Sequence, residues 1–427
     1  MFFGRRLLRP PPADLARDLV VVERPVRRLV EHLLPARLVR DAPVARDSGD
    51  IFFSTEDGLA ESRYVFLEGN RLSERWPAQT TDQPFVIGEI GLGTGLNLCL
   101  TVAEWLRQRR PGATLHYVGL ERAPFRPKDM CRALGHWPEL TPVLNALLAR
   151  WPDPLPGCHR RYFTEWGLTL DLWWADAADT LQDLASHGQP WVDAWYLDGF
   201  APSREPGPWQ QRLYDAMAGL SRTEATFATF TAAGDVRRGL AASGFEVHKR
   251  PGFGSKREAL CGTIDTPHTI APAITPWDLH PASHTPERAL ILGAGLAGAH
   301  AAFALARRGV AVTVLEAASV ASGGSSNLQG VTYTRLSHQH NPLTDFSLAG
   351  FSFATDHYET LLGGGALTTD EDIGLGGYVQ LHEPDEMLAH LSEVLPLAPQ
   401  FARVLTATEI AAESSSQSVY GAISGGS

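Results

Sequence analysis

Long apolar runs are missing from this sequence. No stretch reaches the roughly 18 uninterrupted apolar residues of a membrane-spanning helix, so no membrane span is expected. The first residues also lack the apolar core of a secretory signal. Only four cysteines occur, none of them in CxxC spacing, so neither a disulfide framework nor a metal site is expected. A cysteine content of this kind fits the reducing cytoplasm.

Positive charge is also in deficit, because the formal net charge is −11. This balance argues against bulk, non-specific binding of nucleic acid, but it leaves room for a local basic patch. A length of 427 residues allows two or three domains, and we expect a monomer. Residues 1–40 are rich in arginine and form a predicted basic extension. A phosphate-binding arm, a loose extension and a start-site artefact remain open for it.

The first domain is predicted to span residues 41–264. It opens with two short apolar runs, Ile51–Phe53 and Tyr64–Leu67, which are predicted to be strands joined by a polar turn. The pattern that follows is a βαβ unit with a strand over 85–90, a helix over 96–109 and a second strand over 115–120. The turn after the first strand is glycine-rich, at Gly91, Gly93 and Gly95.

Acidic residues follow the predicted strands of this domain. Glu89 stands on the first strand, and Glu121 ends the second, where an acid can accept hydrogen bonds from ribose hydroxyls. The pattern ExGxGxG resembles the first motif of class I methyltransferases, whereas dinucleotide sites more often show GxGxxG. Asp176 follows a third strand over 168–174, where that fold commonly contacts the adenine amino group. S-adenosylmethionine is therefore the predicted ligand.

The stretch DAWYLDGFAPSREPGPW (193–209) ends a fourth strand in Asp198. Three prolines hold the loop after it away from regular structure. An acid at the carboxyl end of a buried strand is where open α/β sheets place chemistry, although such an acid can also simply cap a turn. From this stretch alone both interpretations stand.

A predicted hairpin closes the domain over 245–262. It carries Lys249, Arg250, Lys256 and Arg257, which could bind RNA phosphates. A solvated hairpin without a binding role would show the same spacing.

A proline-rich linker is predicted over 265–287, and a second βαβ unit begins at Arg288. Its turn is a full GxGxxG, at Gly293, Gly295 and Gly298, and its second strand ends in Glu316. This fingerprint predicts a pyrophosphate seated on the helix N-terminus, with FAD or NAD as the ligand. The loop ASGGSSNLQG (321–330) is typical of flavin enzymes of the D-amino-acid oxidase type.

Together these pieces resemble the family of bifunctional tRNA 5-methylaminomethyl-2-thiouridine biosynthesis proteins, over roughly residues 42–427. The resemblance is carried by DGLAESRYVFLEGNRL, GEIGLGTGLN, WYLDGFAPSREPGPW, FTAAGDVRRGL, KRPGFGSKREALCG and ILGAGLAGAHAA. It implies an α/β fold with a class I methyltransferase Rossmann-like domain, followed by a FAD-binding Rossmann domain of the D-amino-acid oxidase type. It also places Asn97 among the cofactor-binding residues.

The resemblance implies an enzyme that modifies the wobble uridine of tRNA. The FAD domain would convert 5-carboxymethylaminomethyl-2-thiouridine to 5-aminomethyl-2-thiouridine, and the first domain would methylate the resulting amine with S-adenosylmethionine. Asp198 is the predicted catalytic residue. Phe200 and Trp209 are predicted to stack on the uridine, and Tyr196 is either a third stacking residue or part of the core.

The FAD domain, residues 288–427, is shorter than the family pattern, so we expect it to be incomplete. Residues 381–395 are predicted to form a helix of this domain. Two other functions remain open: a FAD-dependent amine oxidase whose first domain binds RNA, and a non-catalytic tRNA-binding fragment.

Overall fold

The computed structural model of the chain describes most of the first predicted domain and parts of the second. The described residues are 19–22, 36–39, 42–45, 52–53, 57–80, 83–187, 189–199, 209–266, 286–327, 330–334, 342–369, 372–374, 378–381, 401–405 and 409. They divide into a unit of residues 32–283 and a unit that combines residues 1–31 with 284–427. None of the described helices has the length and apolar content needed to span a bilayer.

The unit of residues 32–283 alternates strands and helices. Its strands are β2 (Ala36–Val39), β3 (Ala42–Ala45), β4 (Phe85–Ile90), β5 (Leu115–Glu121), β6 (Gly157–Phe163), β7 (Leu168–Trp174), β8 (Val192–Leu197), β9 (Ser221–Thr229), β10 (Glu246–Pro251) and β11 (Glu258–Ile264). Its helices are α1 (Gly58–Ser62), α2 (Leu72–Ala78), α3 (Leu96–Gln108), α4 (Pro127–Leu134), α5 (Thr141–Ala149), α6 (Ala177–His187), α7 (Gln211–Leu220) and α8 (Gly234–Ala242).

An eight-stranded sheet with the order β10-β11-β9-β8-β4-β5-β7-β6 forms the centre of this unit. The five strands from β9 to β7 are parallel, and the other three pair antiparallel. From β4 the chain passes to β5, continues to the edge strand β6, comes back to β7 and then crosses to β8 on the other side of β4. This reversal leaves a crevice at the carboxyl ends of β4 and β8, where open α/β sheets bind ligands. The topology confirms the predicted doubly wound methyltransferase fold.

The central strands are buried on both faces of the sheet. All six residues of β4 are buried, as expected for a strand covered by helices on both sides. Ile87, Tyr117 and Tyr196 point into one core with α3 and α5, while Val86 and Trp195 point into a second core with α6 and α7. Tyr196 is therefore a core residue, and its hydroxyl lies 3.0 Å from the hydroxyl of Thr101.

The two strands predicted at the start of the domain were wrong. Phe52 and Phe53 lie in a bend, and the run containing Tyr64–Leu67 forms a π-helical segment, Arg63–Glu68, directly after α1. Asp57 caps α1 by accepting a hydrogen bond from the backbone of Ala60 at 2.9 Å. A short apolar run does not distinguish a buried strand from a buried helical segment, because every position is apolar in both cases.

The second unit contains a smaller βαβ element, formed by β12, α9 and β13. The described elements of the whole unit are β1 (Leu19–Val22), β12 (Arg288–Leu292), α9 (Leu296–Ala306), β13 (Ala311–Leu315), α10 (Pro342–Gly363), β14 (Tyr378–Leu381) and β15 (Arg403–Leu405). Strands β12 and β13 pair in parallel, as predicted. Strand β1, from the predicted basic extension, lies between β14 and β15. Residues 382–395 of the helix predicted over 381–395, and residues 267–285 of the predicted linker, lie outside the described residues.

Candidate active site

The carboxyl ends of four parallel strands bring the predicted ligand-binding residues to one edge of the large sheet. Along that edge Asp176 follows β7, Glu121 ends β5, the glycine turn follows β4, and Asp198 follows β8. The backbone of Asp198 donates a hydrogen bond to the carbonyl of Ile90 at 3.0 Å. The predicted acid and the glycine turn are therefore direct neighbours at the point where the strand order reverses.

The glycine turn needs its glycines for both conformation and space. Gly91, Gly93 and Gly95 have φ values of 81°, 51° and 76°, in the left-handed region that favours glycine. A Cβ atom on Gly91 would lie 2.7 Å from the carbonyl oxygen of Asp198. Gly95 is the N-cap of α3, and no side-chain capping bond is found there among the described residues, so the first backbone N–H groups of the helix are candidates to bind a ligand.

Glu121 ties the end of β5 to this turn. Its carboxylate accepts a hydrogen bond from the backbone of Gly93 at 2.9 Å and another from Ala123 at 2.8 Å. A carboxylate has about four acceptor sites in all, so these two bonds are compatible with a contact to ribose hydroxyls. Its ligand role stays a prediction.

Asp176 caps helix α6. One carboxylate oxygen accepts hydrogen bonds from the backbone of Ala178 at 2.9 Å and of Asp179 at 3.0 Å. Because its side chain is 41% exposed, the group also faces solvent at the sheet edge. A structural cap and the predicted adenine contact are compatible at this position.

Asp198 is held in place by a buried polar network. Its Oδ2 accepts a hydrogen bond from the side-chain amide of Asn97 at 2.8 Å, and its Oδ1 accepts one from the backbone of Gly199 at 2.9 Å. The Asn97 amide also donates to Glu89 at 2.8 Å, and Glu89 accepts from the hydroxyl of Tyr117 at 2.6 Å. Glu89 is completely buried, so it supports Asn97 from beneath the crevice.

Burial sets the charge state of these acids. Desolvation raises the pKa of Asp198 to about 7, although hydrogen bonds from Gly199 and Asn97 and the charge of Lys256 oppose that rise. Burial also raises the pKa of Glu89 well above its usual value. An acid at a sheet edge whose pKa lies near neutrality is the kind of group that proton-transfer and amine-binding sites use.

A cation lies at the same end of the crevice. The ammonium of Lys256 pairs with the carboxylate of Glu61 at 2.7 Å and sits 4.6 Å from the centre of the Phe230 ring. Its charge acts on Asp198, as does the opposing charge of Glu61. The predicted phosphate contact of Lys256 stays a prediction, and in this structure its partner is a carboxylate.

The other basic residues of the β10–β11 hairpin have different surroundings. Arg250 stacks over Tyr64 at 3.9 Å and donates to the carbonyl of Tyr64 at 3.1 Å, so it fastens the hairpin to the π-helical segment. Lys249 and Arg257 are exposed, and Lys249 forms a surface ion pair with Glu258 at 2.7 Å.

The two predicted stacking residues are described to different extents. Trp209 is partly buried and packs against the core of α6 and α7. Phe200 lies outside the described residues.

Three residues near Asp198 had no predicted role, namely Glu61, Ser62 and Phe230. Glu61 and Ser62 belong to DGLAESRYVFLEGNRL, a stretch that carries the family resemblance. That resemblance was the available signal, but the strand interpretation of this stretch gave no reason to place it beside the site.

The second glycine turn has the backbone form of a pyrophosphate cradle. Gly293 has a φ of 103°, and a Cβ on Gly298 would lie 2.0 Å from the carbonyl oxygen of Gly293. The carboxylate of Glu316 accepts from the backbone of Ala294 at 2.8 Å, as Glu121 does in the first unit. Gly295 precedes α9, whose Leu296 N–H donates to the Ser325 hydroxyl at 3.0 Å. These residues fit the ADP half of a dinucleotide cofactor.

Both halves of the chain match known protein families. Residues 138–265 match the family of S-adenosyl-L-methionine-dependent methyltransferases, and residues 288–425 match the FAD dependent oxidoreductase family. The two expected cofactors, S-adenosylmethionine and FAD, are thus confirmed as those of the matching families.

Two curated relatives carry the name tRNA 5-methylaminomethyl-2-thiouridine biosynthesis bifunctional protein MnmC. The protein from Chromohalobacter salexigens is 46% identical over 316 residues, which cover 74% of this chain and 44% of the relative. The one from Aeromonas hydrophila is 41% identical over 373 residues, which cover 86% of this chain and 55% of the relative. The chain therefore spans about half the length of the curated relatives it matches.

Among solved structures, the chain is similar to MNMC2 from Aquifex aeolicus. The TM-score is 0.43 and the identity 17%, with 62% of this chain and 74% of that chain covered. The fold assignment rests on the strand order of the large sheet. Over most of its length the chain is similar to the bifunctional tRNA 5-methylaminomethyl-2-thiouridine biosynthesis proteins, and its two halves match a methyltransferase family and a FAD dependent oxidoreductase family.

Proposed function

We propose that the first domain transfers a methyl group from S-adenosylmethionine to the primary amine of 5-aminomethyl-2-thiouridine in the anticodon loop of tRNA. The observation that carries the proposal is the position of Asp198, partly buried and in direct contact with the glycine turn at the reversal of the strand order. The names of the curated relatives supply the tRNA substrate and its product.

The crevice has a suitable group for each part of the methyl donor. The backbone of Gly91–Gly95 and the start of α3 would lie against its amino-acid portion, Glu121 would accept from its ribose hydroxyls, and Asp176 from its adenine amino group. When bound, S-adenosylmethionine supplies an electrophilic methyl group on a sulfonium centre. The protein contributes the alignment of donor and acceptor, which can account for much of the acceleration.

Asp198 would receive the acceptor amine. An alkyl amine is largely protonated at neutral pH, since its pKa lies near that of lysine. The nitrogen must lose this proton before it attacks the sulfonium methyl, because its lone pair forms the new carbon–nitrogen bond. A carboxylate in the crevice can bind the ammonium group, accept its proton and orient the nitrogen. It would then stabilise the positive charge that develops on the nitrogen as S-adenosylhomocysteine leaves. The Glu61–Lys256 pair lies at the same end of the crevice. Because the pair joins one carboxylate to one ammonium, it adds no net charge around the incoming amine.

The second unit supports the companion step of the family. We propose that Gly293, Gly295, Gly298 and Glu316 hold the ADP portion of FAD, which supplies a hydride acceptor when bound. In this proposal the second half removes the carboxymethyl group before methylation, by loss of hydride from its carbon–nitrogen unit and hydrolysis of the resulting imine. A tRNA substrate and four free-thiol cysteines support a cytoplasmic location for the protein.

The decisive test of the methylation is transfer of labelled methyl from S-adenosylmethionine to tRNA that bears 5-aminomethyl-2-thiouridine. Nucleoside analysis should identify 5-methylaminomethyl-2-thiouridine as the product. The matched control is the same tRNA transcript without the modification, which should accept no label. Absence of transfer to the modified tRNA contradicts the proposal, and a protein that oxidises amines but transfers no methyl group favours the oxidase interpretation.

Removal of the exposed hairpin cations should weaken tRNA binding. The double substitution Lys249→Ala with Arg257→Ala is expected to raise KM for tRNA several-fold and leave kcat unchanged, because these residues reach phosphates and not the reacting amine. The slope of log Kd against log salt should fall by about 1.5 if each residue neutralises one phosphate. An exposed pair such as Lys249–Glu258 contributes little to folding, so the variant should stay folded.

Arg110→Ala is the matched control for this experiment. Arg110 is an exposed arginine in the loop before β5, at the opposite edge of the sheet from Asp198. Its removal should change neither KM nor the salt slope. Equal slopes for the double variant and the unmodified protein would remove these two residues from the tRNA interface.

A further inference from the structure

The side chain of Asn97, in the first turn of α3, makes hydrogen bonds to three other side chains. Its amide nitrogen donates to Glu89 Oε1 and to Asp198 Oδ2, both at 2.8 Å. Its amide oxygen accepts from the hydroxyl of Ser62, the last residue of α1. Asn97 is 4% exposed, so little of it remains available to a ligand in the crevice.

These partners fix the orientation of the amide. A side-chain amide has two donors on nitrogen and acceptor capacity on oxygen only. Rotating it by half a turn would place its oxygen against two carboxyl groups and its nitrogen against Ser62. Glu89 is itself held by Tyr117 and has no exposed surface, so the arrangement beneath Asp198 is rigid.

Asp198 receives its orientation from this amide. Within the described part of the chain, its carboxylate accepts two hydrogen bonds, one on each oxygen, from Asn97 and from the backbone of Gly199. We propose that Asn97 is a positioning residue that aims the carboxylate of Asp198 at the acceptor amine, with Ser62 and Glu89 fixing the amide. The inference rests on the proposed methyl transfer, and it assigns Asn97 to the acceptor side of the site instead of to the cofactor.

Several titratable groups interact with Asp198 and enter the pH dependence. They are Glu89 on β4, Tyr117 on β5, Glu61 on α1 and Lys256 in the loop between β10 and β11. The Asn97 hydrogen bond lowers the pKa of Asp198. Its removal leaves the other groups in place and should move that pKa upward.

The experiment combines kinetics with a direct titration. Asn97→Ala should lower kcat for methyl transfer at least tenfold and move the acidic limb of the pH profile to higher pH, with KM for S-adenosylmethionine within about twofold of the unmodified protein. In protein labelled with ¹³C at the aspartate carboxyl carbon, the Asp198 signal, assigned with Asp198→Asn, should titrate at higher pH in Asn97→Ala. Ser62→Ala, which removes one hydroxyl, should give a smaller change of the same kind.

Thr101→Val is the matched control. Thr101 lies one turn further along α3, is fully buried, and its hydroxyl contacts Tyr196 and not the network. It should cost some thermal stability without moving the pH profile or the Asp198 signal.

The outcomes separate this inference from the proposed function. The inference is overturned if Asn97→Ala raises KM for S-adenosylmethionine while the pH dependence of kcat and the titration midpoint of Asp198 both stay unchanged. That result would make Asn97 a cofactor ligand. If the unmodified protein transfers no methyl group, the proposed function fails. In that case an unmoved Asp198 signal in both Asn97→Ala and Ser62→Ala would still contradict the positioning role, whereas a moved signal would support it.

Discussion

Asp198→Asn is expected to lower kcat for methyl transfer by about 10²- to 10⁴-fold, the usual range for a residue that handles a proton in the reaction. The amide keeps the size of the side chain, but it can accept a hydrogen bond from only one of the two donors, Asn97 and Gly199, because its NH2 group cannot accept. It also carries no charge to bind or deprotonate the acceptor amine. The affinity for S-adenosylmethionine, measured by calorimetry, should stay within a few-fold, because the glycine turn and Glu121 are unchanged.

Asp179→Asn is the control for the change from acid to amide. Asp179 is an exposed acid on α6 that pairs with Arg212, outside the network around Asp198. Its activity should match that of the unmodified protein. Methyl transfer at the normal rate by Asp198→Asn would remove Asp198 from the mechanism.

The pH dependence of kcat provides a second test of Asp198. Because the pKa of Asp198 is raised to about 7, kcat should increase as the pH rises through 7 and the carboxylate forms. The stability effect has the opposite sign. A carboxyl group whose pKa is higher in the folded state destabilises the fold as the pH rises through its folded value. The difference in Tm between Asp198→Asn and the unmodified protein should therefore shift in favour of the variant as the pH rises from about 5 to about 8. A difference that stays constant over this range would contradict this account.

Gly91→Ala is the second substitution with a large expected effect. A non-glycine residue in the left-handed region costs about 1 kcal/mol or more, and overpacking costs about 1 to 3 kcal/mol. Here the new Cβ would lie 2.7 Å from the carbonyl oxygen of Asp198 and 2.8 Å from the Cα atom of Gly199, which are backbone atoms that cannot simply rotate away. We expect a loss of about 2 to 4 kcal/mol in the free energy of unfolding and loss of measurable S-adenosylmethionine binding.

Gly157→Ala separates the two causes. Gly157, at the start of β6, has a φ of 116°, and a Cβ there would meet no atom within 4 Å. This variant should lose stability through backbone strain alone and retain its affinity for S-adenosylmethionine. Urea unfolding and calorimetry on both variants provide the measurement. If Gly91→Ala bound S-adenosylmethionine normally, the close approach of the turn to Asp198 would have no part in forming the site.

Much of the fold could be predicted from local sequence patterns. Glycine turns after apolar strands and acids at strand ends have fixed spacings, because a parallel strand, its crossover helix and the next strand form one local unit. For this reason the turn at Gly91, the acid at Glu121 and the second turn at Gly293 were placed correctly from the sequence. The strand predicted over Tyr64–Leu67 was wrong because its buried apolar residues carry no period that separates a strand from a helix.

The sequence by itself thus determined the two glycine turns, the order of the strand-ending acids and the family resemblance. The tertiary structure alone decided what surrounds Asp198. Asn97 is 101 residues away from it in the chain, and Lys256 is 195 residues away from its partner Glu61. Neither pair has a spacing that a local pattern could reveal, because each contact exists only after the sheet brings distant strand ends and α1 together. The same burial that assembles these contacts raises the pKa of Asp198, so the chemical character of the acid is a property of the folded crevice and not of the residue.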